Sequence, residues 1–495
     1  MLLKDLMKLL LISSLQGDGN TPISGVAIDS RKVQEGDLFI CLRGHQYDGH
    51  DYAEEAAMRG AKALVVERDV EIPLPKLRVN DTRYAMAVIA NAWYRYPSHQ
   101  MKVIGVTGTN GKTTITYLID QILRDQGLKT GLMGTIRVKI GDRTFEASNT
   151  TLESLELQAN LRKMCDAGAE YCVMEVSSHA LEQGRVRGTR FRTAIFTNLT
   201  QDHLDYHRTM EQYRQAKGLL FARLGNTFSD QADQMQYAVL NADDEAAAEY
   251  ARLTNAQVIT YGIHQPADVR AGNIRLTRQG TELVLHSFAG SVPLKLQMFG
   301  MFSVYNALAA AAAALAEDIP LPQIKQSLEK IPGVEGRFEA VDAGQDYLVL
   351  VDYAHTPDSL ENVLKTIRNF AEGRIITVFG CGGDRDRSKR PLMGEIAAKY
   401  SDLVYVTSDN PRTEDPERIA GDIERGIRRL TGSAAGYEII LDRREAIMRA
   451  VAQAAPKDVV LIAGKGHETY QEIQGVKHPF DDREAAKEAI RSRSL

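Results

Sequence analysis

The sequence has few cysteines, carries no excess of positive charge, and contains no apolar run long enough to cross a membrane. Cys41, Cys165, Cys172 and Cys381 are its four cysteines, scattered without C-x-x-C or metal-ligand spacing. That suits reduced thiols and argues against a disulfide framework or a zinc ribbon. A formal net charge of −5 over 495 residues offers no global attraction to nucleic acid or to an anionic bilayer. The run Ala307 to Ala316 is mostly alanine and about half the ~20 residues that a span needs. The N-terminal M-L-L-K-D-L-M-K-L-L-L-I-S-S is interrupted by Lys4, Asp5 and Lys8, and no small-residue cleavage site follows. An amphipathic helix is expected there, not an export signal, and a cytoplasmic protein without membrane insertion.

What is present is dominated by Lys102 to Thr114, K-V-I-G-V-T-G-T-N-G-K-T-T. A short apolar strand runs into a glycine loop and then into a helix whose apolar residues Ile115, Leu118, Ile119, Ile122 and Leu123 share one face. This is the context of a phosphate cradle. Gly108 and Gly111 let the backbone turn its N–H groups inward, Lys112 sets a cation against phosphate oxygens, and Thr113 offers a hydroxyl to Mg²⁺. The strict G-x-x-x-x-G-K-[ST] spacing wants glycine at 106, where this chain has Val106.

The length allows about three domains. Residues 1–98 read as a small α/β unit, with Ser30, Arg31, Gly44, His45 and Gln46 in turns beside strands, and Tyr96-Pro97-Ser98-His99 marks a boundary. Residues 99–335 follow as a second α/β unit ending in the I-P-G-V-E-G-R turn. There the strand Y-C-V-M-E-V brings Glu175 to a strand end within reach of a cation, and A-I-F-T-N-L delivers Q-D-H-L-D-Y-H. His203 and His207 share a face if that turn is helical, but Leu204 stands where a zinc protease needs glutamate, so a metal-ligand histidine is the better reading. Lys217 lies in a helix with Leu219, Leu220 and Phe221 just behind it, and Asn306 stands at the start of the alanine-rich helix as a cap or a nucleotide contact.

Residues 336–495 alternate strands and helices, which predicts a second, Rossmann-like doubly wound sheet. Four polar clusters fall at its strand ends: Asp352 to His355, Gly382 to Arg385, Asp409 to Arg412 and Gly464 to Glu468. Several such loops on one sheet edge make a pocket.

With T-G-T-N-G-K-T-T, N-T-T, E-V-S-S-H-A-L, N-L-T-Q-D-H-L-D-Y-H, Y-R-Q-A-K, G-R-F-E, V-D-Y-A-H-T-P-D-S, D-N-P-R and G-K-G-H-E in this order, the chain resembles the Mur ligase family over essentially its whole length. The resemblance implies an α/β protein of three domains: one for a UDP-sugar, a central P-loop ATPase, and one for an incoming amino acid. It implies ATP-dependent joining of an amino acid, here meso-diaminopimelate, to UDP-N-acetylmuramoyl-L-alanyl-D-glutamate through an acyl phosphate, in peptidoglycan precursor synthesis. By position, Ser30 and Gly44, His45 and Gln46 would meet the UDP-sugar, while Asn149, Thr150, Thr151, Ser177, Gln183 and Arg185 would meet its peptide arm. Gly108, Thr109, Asn110, Gly111, Lys112, Thr113 and Thr114, with Asn306, Arg337, Asp352 and His355, would bind ATP.

Thr113 and Glu175 would hold one Mg²⁺, and His203 with Lys217, carbamylated by CO₂, a second. Arg385, Asp409, Asn410, Pro411, Arg412, Gly464 and Glu468 would form the amino-acid pocket. Arg412 would read the second carboxylate and be left without an anion if L-lysine were bound. Ser303 stands where the family often has asparagine. A monomer acting on small molecules, with no nucleic acid, is expected. The alternatives are the same ligation with L-lysine, a folylpolyglutamate-synthetase-like ligase, a P-loop regulatory or motor ATPase, and a scaffold without catalysis. The extra N-terminal domain, D-N-P-R, the lack of basic or repeat segments and the presence of Lys112, Glu175, His203 and Lys217 weigh against the last three.

Overall fold

The computed structural model describes residues 1–44, 47–147, 149–226, 228–277, 280–430 and 436–493. Among these residues the strands form three large sheets, in chain order, and one separate hairpin. The first sheet has the order Ser13–Gln16, Lys76–Val79, Ala63–Val66, Asp37–Ile40, Gly25–Ala27, with only the first pair antiparallel. Its strands are apolar on both faces because both are covered. Leu38, Ile40 and Val65 pack with Leu3, Leu6, Ala85 and Ile89, while Phe39, Leu64 and Val66 pack with Ala53 and Ala56.

The N-terminal expectation needs correction. The helix spans only Leu3–Met7; Leu11 and Ile12 are exposed, and Ser13–Gln16 is a strand paired with Lys76–Val79. A helix of five residues gains little by itself, and sheet pairing takes the residues after it.

The second sheet is built around Lys102–Thr107, flanked in parallel by Tyr171–Glu175 and Phe191–Phe196. Thr130–Met133, Tyr237–Asn241 and Gln257–Gly262 extend it in parallel. Alternation along the central strand divides the core: Ile104 and Val106 face the helix Lys112–Asp125 through Ile115, Leu118, Ile119 and Ile122, and Val103 faces the opposite layer. The helix Met301–Leu315 packs on the first of these faces with Ala307 to Ala313 fully buried. Its alanines let it approach close to neighbouring elements, which explains an apolar run that is a core helix and not a membrane segment. No helix among the described residues is long and apolar enough to cross a membrane.

The third sheet runs Glu339–Ala340, Leu348–Asp352, Val459–Ala463, Ile375–Phe379, Leu403–Val406, Gly436–Ile439, parallel except for the first strand. Helices cover both faces, with Pro357–Phe370, Lys389–Tyr400 and Pro416–Arg429 on one and Arg443–Gln453 and Asp482–Arg493 on the other. This is the doubly wound arrangement expected from the alternation of strands and helices. The hairpin Tyr470–Ile473 and Val476–Pro479 leaves this sheet after its third strand and lies beside the Asp409–Arg412 loop.

Candidate active site between the second and third sheets

Strands of a parallel sheet deliver the loops at their carboxyl ends to one edge. The two doubly wound sheets turn those edges toward each other across a cleft of about 1000 Å³. From the second sheet come residues 109–114, 149–151, Glu175, Ser177, Arg185, His203 and Lys217; from the third come Arg337, Asp352, His355, Arg385, Asp409, Asn410, Arg412, Gly464 and Glu468. Asn306 reaches the cleft from the alanine-rich helix.

Five sequence-predicted residues, Ser30, Gly44, Gly108, Gln183 and Pro411, lie outside the lining. Ser30 is buried in the first unit, where its Oγ donates to Glu55 Oε2 at 2.8 Å, and Gly44 N–H donates to the Tyr47 carbonyl at 2.8 Å. Gln183 accepts from Arg185 at 2.8 Å, and the Pro411 carbonyl accepts from the Glu414 N–H at 3.0 Å. His45 and Gln46 fall outside the described residues.

The phosphate loop is held from one side. The Thr109 N–H donates to the Asn198 carbonyl at 2.8 Å and the Asn110 N–H to Asn198 Oδ1 at 2.9 Å. The inward-facing donors are therefore fewer than the sequence suggested, and the cradle narrows to the start of the helix, whose first-turn N–H groups have no intrahelical acceptor. Gly111 has φ +86°, and a Cβ there would sit 2.6 Å from Asn306 Oδ1. Asn306 lies more than one turn inside a helix that begins at Met301 after Gly300. The capping role is thereby excluded, and the side chain serves the loop face instead. Ser303 is buried and donates to the Phe299 carbonyl at 2.6 Å.

Lys112 and Lys217 both reach the Gly108 carbonyl, at 2.9 and 2.8 Å. Two ammonium groups so close repel each other, so one of the amines gives up its proton more readily. Burial, reinforced by the Lys112 cation, holds Lys217 well below the usual lysine range. Lys112 is also lowered by burial, but Glu175 and Asp202 support its charge. The Lys217 amine lies 4.3 Å from the centre of the Tyr213 ring, whose hydroxyl is 3.1 Å from Thr109 Oγ1.

Glu175 ends its strand as a fixed oxygen donor. Its Oε1 accepts from Thr113 Oγ1 at 3.0 Å and from the Thr135 N–H at 2.7 Å, and Oε2 accepts from Thr135 Oγ1 at 3.0 Å. His203 has φ +57°, its Nε2 is 3.3 Å from Asp202 Oδ2, and burial pushes its ring down to about 3. A neutral imidazole is the form that can ligate a cation. Among the described residues no three His, Cys, Asp or Glu side chains converge as a metal-binding group.

The third sheet adds its own charges. Arg337 Nη2 donates to Thr113 Oγ1 at 3.1 Å while its guanidinium stacks 4.5 Å from the Tyr353 ring. Asp358 Oδ2 accepts from Asn110 Nδ2 at 2.8 Å and from Thr200 Oγ1 at 3.1 Å, tying the two sheets at the loop. Asp352 is buried and accepts from the Phe338 and Ala354 N–H groups at 2.6 and 2.7 Å, and burial raises it to about 6. Burial lowers His355 to about 4, and Lys389 donates to the His355 carbonyl at 2.8 Å. In the far pocket Lys465, fully buried, donates to Asn410 Oδ1 at 3.0 Å and Glu468 Oε2 at 2.9 Å.

Arg412 has partners within the chain. Its Nη1 donates to the Gly383 carbonyl at 2.7 Å and its Nε lies 3.4 Å from Glu472 Oε2. Thr135, Lys389 and Glu472 were not singled out in the sequence, and Tyr213, Asp358 and Lys465 only as members of Y-R-Q-A-K, V-D-Y-A-H-T-P-D-S and the Gly464 to Glu468 cluster. Thr135 follows a strand end, where polar residues repay attention; Lys389 and Glu472 carry no local signal.

The description "Mur ligase family, catalytic domain" matches residues 22–95, "Mur ligase middle domain" residues 106–314, and "Mur ligase, glutamate ligase domain" residues 336–466. The UDP-N-acetylmuramoyl-L-alanyl-D-glutamate–2,6-diaminopimelate ligase of Bacillus cereus is 52% identical over 96% of this chain and 95% of its own. The ligase of the same name from Geobacillus kaustophilus is 52% identical over 98% and 100%. A solved structure of a ligase of that name is 35% identical, covers 100% of this chain and 99% of its own, and superposes with a TM-score of 0.69. Three consecutive family matches, relatives half identical over nearly the whole length, and a cleft that sets a phosphate loop opposite four strand-end loops agree: the chain belongs to the Mur ligase family.

Proposed function

We propose that the chain joins meso-2,6-diaminopimelate to UDP-N-acetylmuramoyl-L-alanyl-D-glutamate at the expense of ATP, as a soluble cytoplasmic monomer in peptidoglycan precursor synthesis. The observation that carries this reading is the facing of the Lys112 loop and the Asp409–Arg412 loop across one cleft. The names of the half-identical relatives support the choice of substrates.

A carboxylate is a poor acyl donor. Its oxygen attacks the γ-phosphorus of ATP, the bond from that phosphorus to the bridging oxygen breaks, and ADP leaves. The acyl phosphate so formed loses inorganic phosphate when the amine nitrogen attacks the carbonyl carbon. Two anions meet in the first step, so Lys112, Arg337 and the first-turn N–H groups of the helix must hold the transferring phosphoryl. Asn306, Asp352 and His355 complete the nucleotide contacts, with residues 108–114. Thr113 with Glu175, and His203 with a carbamate on Lys217, would hold two Mg²⁺ ions, which neutralise phosphate charge when bound. The donor set fits: Thr113 and Glu175 offer hard oxygens 3.0 Å apart, and a neutral Lys217 amine can add CO₂, releasing a proton and gaining a carboxylate.

The domains are assigned as 1–98 for the UDP-sugar, with Ser30 and Gly44 to Gln46; 99–335 for ATP; and 336–495 for the amino acid. Residues 149–151, Ser177, Gln183 and Arg185 take the peptide arm. Arg185 bridges Gln183 and the Thr151 carbonyl at 2.8 and 2.9 Å, which orders that wall. Arg385, Asp409 to Arg412, Gly464 and Glu468 take the acceptor.

The test is incubation with ATP, Mg²⁺, the UDP-sugar dipeptide and a panel of amino acids, with products read by mass. A product one diaminopimelate residue heavier is expected, with phosphate release dependent on the UDP-sugar dipeptide. Rapid ATP hydrolysis by the enzyme alone, or no diaminopimelate product, would overturn the reading.

A further inference from the structure

The hairpin Tyr470–Pro479 is fastened to the loop that carries Arg412. The Arg412 N–H donates to the Glu472 carbonyl at 3.0 Å and the Gln474 N–H to the Arg412 carbonyl at 2.7 Å. The Glu472 N–H donates to Asn410 Oδ1 at 2.9 Å, and Gln471 Nε2 to the Asp409 carbonyl at 2.7 Å. These bonds hold Arg412 at φ +52°, a conformation that costs a non-glycine residue and persists only where surrounding contacts fix it. The side chain is aimed as well. Gly382 leaves the space it needs, since a Cβ there would lie 2.9 Å from Arg412 Nη1. The same hairpin then places Glu472 Oε2 3.4 Å from Arg412 Nε. Both side chains are partly open to solvent, at 21% and 27%.

Resting on the ligase reading above, we propose that Glu472 is the resident counter-ion of Arg412 and a specificity-determining residue. It pairs with the guanidinium while the acceptor pocket is empty and yields it to the second carboxylate of meso-diaminopimelate. The exchange has two consequences. Diaminopimelate must displace an anion already in place, which weakens its binding. L-lysine, which brings no second carboxylate, leaves the Arg412–Glu472 pair intact and escapes the penalty of a stranded guanidinium. Glu472 therefore lowers the discrimination that Arg412 would otherwise impose. It also keeps a left-handed, geometrically aimed arginine from sitting unpaired in the empty pocket. Glu468 is engaged elsewhere: its Oε2 accepts from Lys465 at 2.9 Å and Asn410 Nδ2 at 2.8 Å, so it does not compete for Arg412.

Glu472→Gln keeps the hairpin backbone and removes the charge. With the UDP-sugar dipeptide and ATP saturating, KM for meso-diaminopimelate is expected to fall about two- to five-fold, the range of a partly exposed ion pair. The preference in kcat/KM over L-lysine rises by at least as much. In an Arg412→Ala background, Glu472→Gln should change neither quantity, because the pair is already broken. An unchanged or raised KM overturns the proposal, as does an effect that survives in the Arg412→Ala background. The raised value would place Glu472 on the distal ammonium of the acceptor. Wild-type enzyme that makes no diaminopimelate product refutes the ligase reading itself. Calorimetric titration of meso-diaminopimelate into wild type and Glu472→Gln then carries the test, and equal affinity or no binding overturns the role of Glu472.

Discussion

At the scale of single residues, the cleft is governed by which groups hold their charge. Lys217 is the clearest case, since burial and the neighbouring Lys112 both favour its neutral amine. A neutral amine is what reacts with CO₂, and the resulting carbamate would leave the Gly108 carbonyl to Lys112 alone. Labelled ¹³CO₂ is expected to give a carbamate resonance in the wild type that is missing in Lys217→Ala. The substitution should also cost about 10²- to 10³-fold in rate, the scale of losing one charge contact to a transition state. A Lys217→Ala enzyme that retained both signal and turnover would refute the assignment. The sequence made Lys217 visible only through its place in Y-R-Q-A-K, because a lysine on a helix is ordinarily solvated. Tyr213, one helical turn earlier, lies against it, and the fold brings the Gly108 carbonyl. Arg412 teaches the complementary lesson. D-N-P-R announced the guanidinium, but its counter-ion sits on a hairpin sixty residues further on, beyond the reach of any local pattern.

Among the elements, those with strong periodicity or strong punctuation were legible. The strand Lys102–Thr107 with its glycine loop and helix stood out, as did the alternation of strands and helices after residue 336. The N-terminal helix was overextended because a run of leucines satisfies helical periodicity even where its later residues enter a sheet. The hairpin after residue 470 went unread for a different reason: its two-residue turn puts Gln474 at φ +50°, where asparagine is the residue that signals such a turn. A pairing hidden in the same way supports the acceptor loops. Arg443 and Asp482, both fully buried, join the helices Arg443–Gln453 and Asp482–Arg493 through two bonds of 2.7 Å. Arg443 Nη2 also donates to the Ala463 carbonyl at 3.0 Å, directly before Gly464. Removing one partner strands a buried charge, which typically costs ~3–5 kcal/mol. Arg443→Met should therefore lower the melting temperature of the C-terminal unit by roughly 6–20 °C in calorimetry. Arg443→Met with Asp482→Leu should recover much of that loss, since no charge is then left buried. A single variant as stable as wild type would show the pair to be dispensable.

Across the whole molecule, the two large sheets meet through polar and titratable groups beside an aromatic contact of Phe299 and Phe302 with Phe338 and Phe370, so their contact should respond to pH. Burial holds His179, His207 and His355 down to about 4 and His467 to about 3, from an ordinary value near 6.5. Neighbouring charges add to this: His207 and Arg185 for His179, Lys389 and Arg337 for His355, and Arg337 and Arg483 for His467. Asp202 and Asp205 oppose it at the first three positions, where burial outweighs them. A depressed histidine gives stability that is complete above pH 6.5 and is lost as pH falls toward the folded value, because the unfolded chain takes the proton first. Asp352 acts with the opposite sign. Raised from 3.8 to about 6, it favours the folded state as pH falls through 6. Four histidines outweigh one carboxyl in this window, so the ligand-free protein should melt at a lower temperature at pH 5 than at pH 7.5. The loss should begin at the seam. Arg137 and Arg483 both pair with Glu335 at the linker between the sheets, and Asp358 bridges Asn110 and Thr200, contacts that do not depend on histidine. Segments 178–207 and 353–359 carry three of the four histidines, and their amide exchange is expected to accelerate on acidification before that of the strand Lys102–Thr107. A melting temperature that stayed level or rose from pH 7.5 to pH 5, or exchange that accelerated first in the central strand, would mean that these histidines do not set the pH response of the folded protein.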